Sequence, residues 1–140
     1  PTESSTAYII GTDQILVCEG QIINKPDNIV TAKDQLLWLA GKPHKLFSAI
    51  VLFRDGQRIW HHLAESALTM RQFDSVFADS YIQHIGDAAL WSPGAYQIEC
   101  VGTSLFSKID GDHFDILGLP LLPLLGILRE HGLSPTERFA

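Results

Sequence analysis

The dipeptide Asp55-Gly56 stands between two runs rich in β-branched and aromatic residues, Leu46 to Phe53 and Arg58 to Leu63. Asp-Gly supplies the positive φ angles that a tight hairpin turn requires, so the stretch reads as a long β-hairpin, with Ala67 to Met70 continuing its second arm. Upstream, Ala7 to Ile10 and Gln14 to Cys18 are apolar, β-branched runs, and Glu19-Gly20 reads as a turn into a further strand at Gln21 to Ile23. The chain therefore opens with sheet. Between the first two runs lies Gly11-Thr12-Asp13-Gln14, where a carboxylate interrupts what would otherwise be buried strand. Such a carboxylate must be hydrogen-bonded, paired or metal-bound, because burying it alone is expensive.

Helical signals separate these runs. Thr31 can cap a helix reaching about Ala40, with Ala32, Leu36, Leu39 and Ala40 as its apolar stripe and Gly41 as its stop. Asp74 can cap a second, in which Phe77, Tyr81 and Ile85 recur at helical spacing up to Gly86. Trp91 to Gly94 reads as loop, Ala95 to Val101 and Ser104 to Ile109 as strands, and Asp110-Gly111-Asp112 as a turn. A last helix follows Leu119-Pro120 and ends near His131-Gly132, leaving Leu133 to Ala140 as a weakly ordered tail. Strands and helices do not alternate regularly, which favours a mixed-sheet α/β or α+β fold over a doubly wound parallel one. At 140 residues and 46% hydrophobic, one domain with a real core is expected.

Composition excludes several functions. The net charge of −6 and the scattered lysines and arginines leave no footprint for nucleic acid. The most apolar stretch, Ile116 to Leu128, carries Gly118, Pro120, Pro123 and Gly126 and is shorter than the roughly 20 apolar residues of a membrane span. Pro1 to Ala7 has no secretory pattern, so a cytoplasmic address is expected. Cys18 and Cys100 are far apart and form no CxxC pair, and the six histidines show no zinc-ligand spacing. No Walker loop, Gly-x-Gly-x-x-Gly or Gly-x-Ser-x-Gly elbow occurs. Any phosphate chemistry must rest on dispersed polar residues.

Four blocks, in order, resemble the Maf family. Gly11-Thr12-Asp13-Gln14 with Asn24-Lys25-Pro26 is similar to its Gly-x-Asp-Thr/Gln strand and the Gly-Lys-Pro that follows. Leu39-Ala40-Gly41-Lys42-Pro43-His44 resembles its Leu-Ser-Gly-x-x-His, and Gly94 to Glu99 its Gly-x-Tyr-x-x-Gln/Glu. Ile109 to Gly111 through Gly118-Leu119-Pro120-Leu121 resembles its closing Gly-Leu-Pro-Leu segment. The resemblance implies an ITPase-like mixed sheet flanked by helices, often a homodimer, that hydrolyses a nucleoside triphosphate between its α and β phosphates to monophosphate and pyrophosphate. It implies a divalent cation, Mg or Mn, as cofactor. Family members begin with a Ser-x-Ser-Pro-Arg-Arg loop on a strand and helix. The present sequence starts after that region, and low activity is expected of it.

The resemblance also distributes roles. Asp13 becomes the proton acceptor and a metal ligand, a part that a carboxylate at a strand end is suited to on chemical grounds. Lys25 becomes a phosphate ligand. Gln14 and Glu99 become the residues that face the base, a pair that resembles the branch acting on 7-methyl-GTP. A Glu can accept hydrogen bonds from the N1-H and exocyclic amine of guanine. Lys42 follows a helix-terminating Gly and is read as a charge favourable to that helix end. The alternative is a catalytically impaired module that binds nucleotide or a division partner without hydrolysis.

Overall fold

The fold is described from a computed structural model, which covers residues 7–98 and 100–133. Among these residues a five-stranded sheet runs in the order β2-β1-β3-β4-β5, with every neighbouring pair antiparallel. Its strands are β1 (Tyr8–Cys18), β2 (Gln21–Ile23), β3 (Pro43–Arg54), β4 (Gln57–Met70) and β5 (Phe106–Asp110). Four helices accompany it: α1 (Ile29–Leu39), α2 (Ser75–Ile85), α3 (His113–Ile116) and α4 (Leu121–Glu130). The class is α+β, as the mixture of periodicities implies.

The β3–β4 hairpin forms the spine. Asp55 and Gly56 take φ angles of 50° and 83°, the doubly positive turn whose twist matches the flanking strands. Along β3, His44, Leu46, Ser48, Ile50 and Leu52 are buried while the residues between them are partly or fully exposed. This period of two is what a sheet with one covered face requires. Leu36 and Leu39 of α1 meet Leu16, Leu46, Leu68 and Met70 on that face, joined by Tyr81 and Ile82 of α2. Leu16, Leu36 and Leu39 are fully buried, each contributing about 1.5–3 kcal/mol of transfer free energy. At the far end of the sheet, Tyr8 of β1 meets His131, just past α4, edge to face at 6.0 Å.

Four details depart from the sequence reading. The two runs before Cys18 form one continuous strand, because β3 pairs with β1 without interruption from Tyr8↔Arg54 to Val17↔Lys45. Asp13 can sit inside that strand because it is exposed, so no desolvation has to be offset. The cap of helix α1 lies three residues before Thr31: it is Asn28, its Oδ1 accepting the Thr31 N–H at 2.9 Å. The described residues of Ala95 to Val101 form no strand. Gly94 and Ala95 both have positive φ, and the described residues around them form short 3₁₀ turns, Pro93–Ala95 and Cys100–Leu105. Finally, Asp112 does more than close a turn, since its carboxylate accepts from Phe114 N–H and Asp115 N–H and starts α3.

The Asp74 cap of α2, accepting from Phe77 N–H at 2.9 Å, and the stop at Gly86 follow the sequence reading. No described helix is long and apolar enough to cross a membrane. Residues 134–140 of the expected tail lie outside the described residues.

Candidate active site

Strand β1 pairs with β3 along one edge over ten residues, but with β2 along the other only at Leu16 to Cys18. Where β2 stops, a pocket of about 480 Å³ opens against the bare edge of β1, a size in the range of small-ligand sites. Asp13, Gln14, Asn24, Lys25 and Pro93 line it, with Ile15, Ile22 and Ile23. Three residues that the sequence singles out, Asp13, Gln14 and Lys25, therefore share one pocket although twelve positions separate Asp13 from Lys25. The turn at Glu19-Gly20 brings this about: it folds β2 back on β1 and delivers Lys25 beside the strand that carries Asp13. Glu99, the fourth, lies outside the described residues.

Asp13 Oδ1 accepts the backbone N–H of Gln14 at 2.9 Å. That bond orients the carboxylate of a residue that lines the pocket. Gln14 is anchored differently. Its Nε2 donates to the Ile116 carbonyl at 2.8 Å and to Ser48 Oγ at 3.3 Å. Both amide hydrogens are thus engaged by the fold, and only the acceptor Oε1 remains for a ligand. Ser48 in turn donates to the Asp115 carbonyl. A buried serine on β3 and a glutamine on β1 together hold α3 against the sheet beside the pocket.

Lys42 does not reach the pocket's lining. Its Nζ lies 4.0 Å above the Trp38 ring and 3.3 Å from Glu19 Oε1, a structural placement in keeping with the helix-end reading. His44, from the same block of sequence, is buried. Tyr96 Oη lies 3.1 Å from His44 Nε2. Burial lowers the His44 pKa to about 4, with the Lys42 backbone opposing weakly, while the other ring nitrogen, Nδ1, makes no hydrogen bond of good geometry. Burial also raises the Tyr96 pKa, so the phenol keeps its proton and donates to a neutral imidazole. This pair fastens β3 to the segment that forms the pocket's far wall. Near α3, burial and then Asp112 raise the Asp115 pKa, with His62 opposing.

Among the described residues no cluster of three metal-ligating side chains occurs. A hard divalent cation in this pocket would be held by one carboxylate together with substrate phosphates, a common arrangement for such ions. Asp13 is the described residue able to provide that carboxylate in this pocket. The sequence alone assigns no site role to Ser48, Asn24 or Pro93, whose parts are set by tertiary neighbours rather than by any local pattern.

Comparison with known proteins agrees with the four blocks. A family model described as Maf-like protein matches residues 2–131. A Rhodospirillum rubrum protein named nucleoside triphosphate pyrophosphatase is 48% identical over 127 residues, covering 91% of this chain and 63% of the relative. A Brucella abortus protein named 7-methyl-GTP pyrophosphatase is 50% identical over 123 residues, covering 88% and 62%. A Caulobacter vibrioides nucleoside triphosphate pyrophosphatase is 47% identical over 124 residues, covering 89% and 62%. The chain thus spans a little under two thirds of the length of these relatives. With the family model matched over nearly the whole chain, and Asp13, Gln14 and Lys25 gathered in one pocket, this chain belongs to the Maf-like protein family.

Proposed function

We propose that this chain carries part of a nucleoside triphosphate pyrophosphatase, which hydrolyses the bond between the α and β phosphates to give a nucleoside monophosphate and pyrophosphate. The observation that carries the reading is the shared pocket of Asp13 and Lys25, a carboxylate and an ammonium lining one recess. Asp13, oriented through Oδ1 by the Gln14 N–H, uses Oδ2 to take a proton from the attacking water. Lys25 sets its ammonium against the phosphate oxygens, where charge must be neutralised as the bond breaks. A magnesium or manganese ion held by Asp13 and the phosphates would supply further neutralisation of the leaving pyrophosphate.

The base is read by acceptors. Gln14 can offer only Oε1, because both amide hydrogens are taken by Ile116 and Ser48. Glu99 adds a carboxylate. Two acceptors suit the N1–H and exocyclic amine of a guanine edge, and a cationic 7-methylguanine suits them further. The relatives named 7-methyl-GTP pyrophosphatase support that choice.

The test is pyrophosphate release from a panel of nucleoside triphosphates that includes GTP and 7-methyl-GTP, with Mg or Mn. The chain is assayed alone and fused to the unmatched remainder of the Rhodospirillum rubrum relative. Asp13→Asn should lower kcat by about 100- to 10,000-fold. Lys25→Ala should lower kcat/KM by roughly 100-fold. Full activity of Asp13→Asn, or silence of both unmutated forms, would overturn the reading.

A further inference from the structure

Gln35 lies on α1, outside the pocket, half-buried and one residue before the fully buried Leu36. Its side chain nevertheless reaches both pocket walls. Nε2 donates to the Asn24 carbonyl at 2.9 Å, and Oε1 accepts the Gly94 N–H at 3.0 Å. The first partner adjoins Lys25 and the second adjoins Pro93, and Asn24, Lys25 and Pro93 all line the pocket. The assignment of the amide is forced by its partners, since the opposite orientation would set oxygen against oxygen and N–H against N–H. Neither wall belongs to a wide region of regular structure. Asn24 follows a three-residue strand, and Gly94 sits in a 3₁₀ turn with a φ of 79°. Helix α1, by contrast, is anchored in the core through Ala32, Leu36 and Leu39.

We infer that Gln35 is a positioning residue that ties the Lys25 wall to the Gly94 wall and thereby sets the width of the pocket, an inference that rests on the reading of that pocket as the nucleotide site. The two walls then hold a fixed separation before substrate arrives, which lowers the ordering required on binding. A carboxamide is suited to this task because it presents one donor end and one acceptor end on a rigid plane.

Two substitutions separate the halves of the clamp. Gln35→Glu keeps an acceptor for Gly94 N–H but sets a carboxylate against the Asn24 carbonyl, so it releases the Lys25 wall alone. Gln35→Met keeps the length of the side chain and releases both walls. Amide hydrogen exchange, followed residue by residue by NMR, reads the clamp without turnover. Exchange at Gly94 should rise about tenfold in Gln35→Met and stay near the parent value in Gln35→Glu, while the Lys25 amide resonance shifts in both. With GTP and Mg in the fused form, both variants should raise KM by roughly tenfold and leave kcat within about threefold, the split expected when only positioning for binding is lost. Unchanged Gly94 exchange in Gln35→Met, or an unchanged KM in both variants of an active protein, would overturn the inference. If the parent neither binds nor hydrolyses any nucleotide in the panel, the functional reading falls while the exchange data still judge the clamp.

Discussion

The β3–β4 hairpin and the stretch from Gly86 to Leu105 meet in the same core, yet they are held by opposite means. In the hairpin each residue's place follows from its neighbours: alternation sets the buried face, Asp55-Gly56 sets the turn, and backbone pairing sets the register. In the second stretch the backbone turns repeatedly, and side chains and single close contacts fix its course. Gly94 N–H goes to Gln35, Gln97 N–H to the Tyr81 hydroxyl, and Gln97 Nε2 to Ser92 and Ala88. A regular element spreads its constraints over many equivalent bonds. An irregular one concentrates them on a few residues, and this stretch forms one wall of the candidate active site.

That contrast is open to measurement, beginning where the largest effect is expected. A Cβ on Gly102 would lie 1.2 Å from the Gln97 carbonyl oxygen, a backbone atom that cannot step aside. Gly102→Ala should therefore destabilise the protein by more than about 4 kcal/mol or prevent folding, read from denaturant midpoints. A loss under about 1 kcal/mol would show the irregular stretch to be as tolerant as the hairpin.

The second effect sits where the two regions join, at His44 on β3 and Tyr96 on the irregular wall. The folded state holds His44 neutral, with its pKa lowered by burial from 6.5 to about 4. The unfolded chain binds the proton more readily, so the stability is present above pH 6.5 and is lost as pH falls from there toward 4. Between those limits the parent should lose up to about 3 kcal/mol more than His44→Gln, measured by urea unfolding at each pH. Parallel pH profiles for the two proteins would remove His44 as the acid-sensitive joint.

The smallest effect belongs to the hairpin. A Cβ at Gly56 would meet nothing within 4 Å, so Gly56→Ala carries only the strain of its positive φ. Its loss should be about 1 kcal/mol, visible as a Tm shift of a few degrees. A loss as large as that of Gly102→Ala would erase the distinction between the two regions.

The amino-acid sequence by itself determined the hairpin, the Asp74 and Gly86 ends of α2, the core stripe Ala32, Leu36 and Leu39, and the candidacy of Asp13, Gln14 and Lys25. These follow from periodicity, caps and turn chemistry, which act over a few residues, or from ordered blocks that resemble one family. Only the tertiary structure decided that Asp13 lies within an unbroken strand, because that depends on β3 pairing from nearly forty residues away. It alone turned the described residues of Ala95 to Val101 from apparent strand into loop and 3₁₀ turn, since the buried faces of Tyr96 and Ile98 alternate as a strand's would without any partner strand among the described residues. It alone gave Ser48 and Gln35 their parts. A hydrogen bond between residues 34 or 59 positions apart leaves no local pattern, because the pairing exists only once the chain has closed the distance.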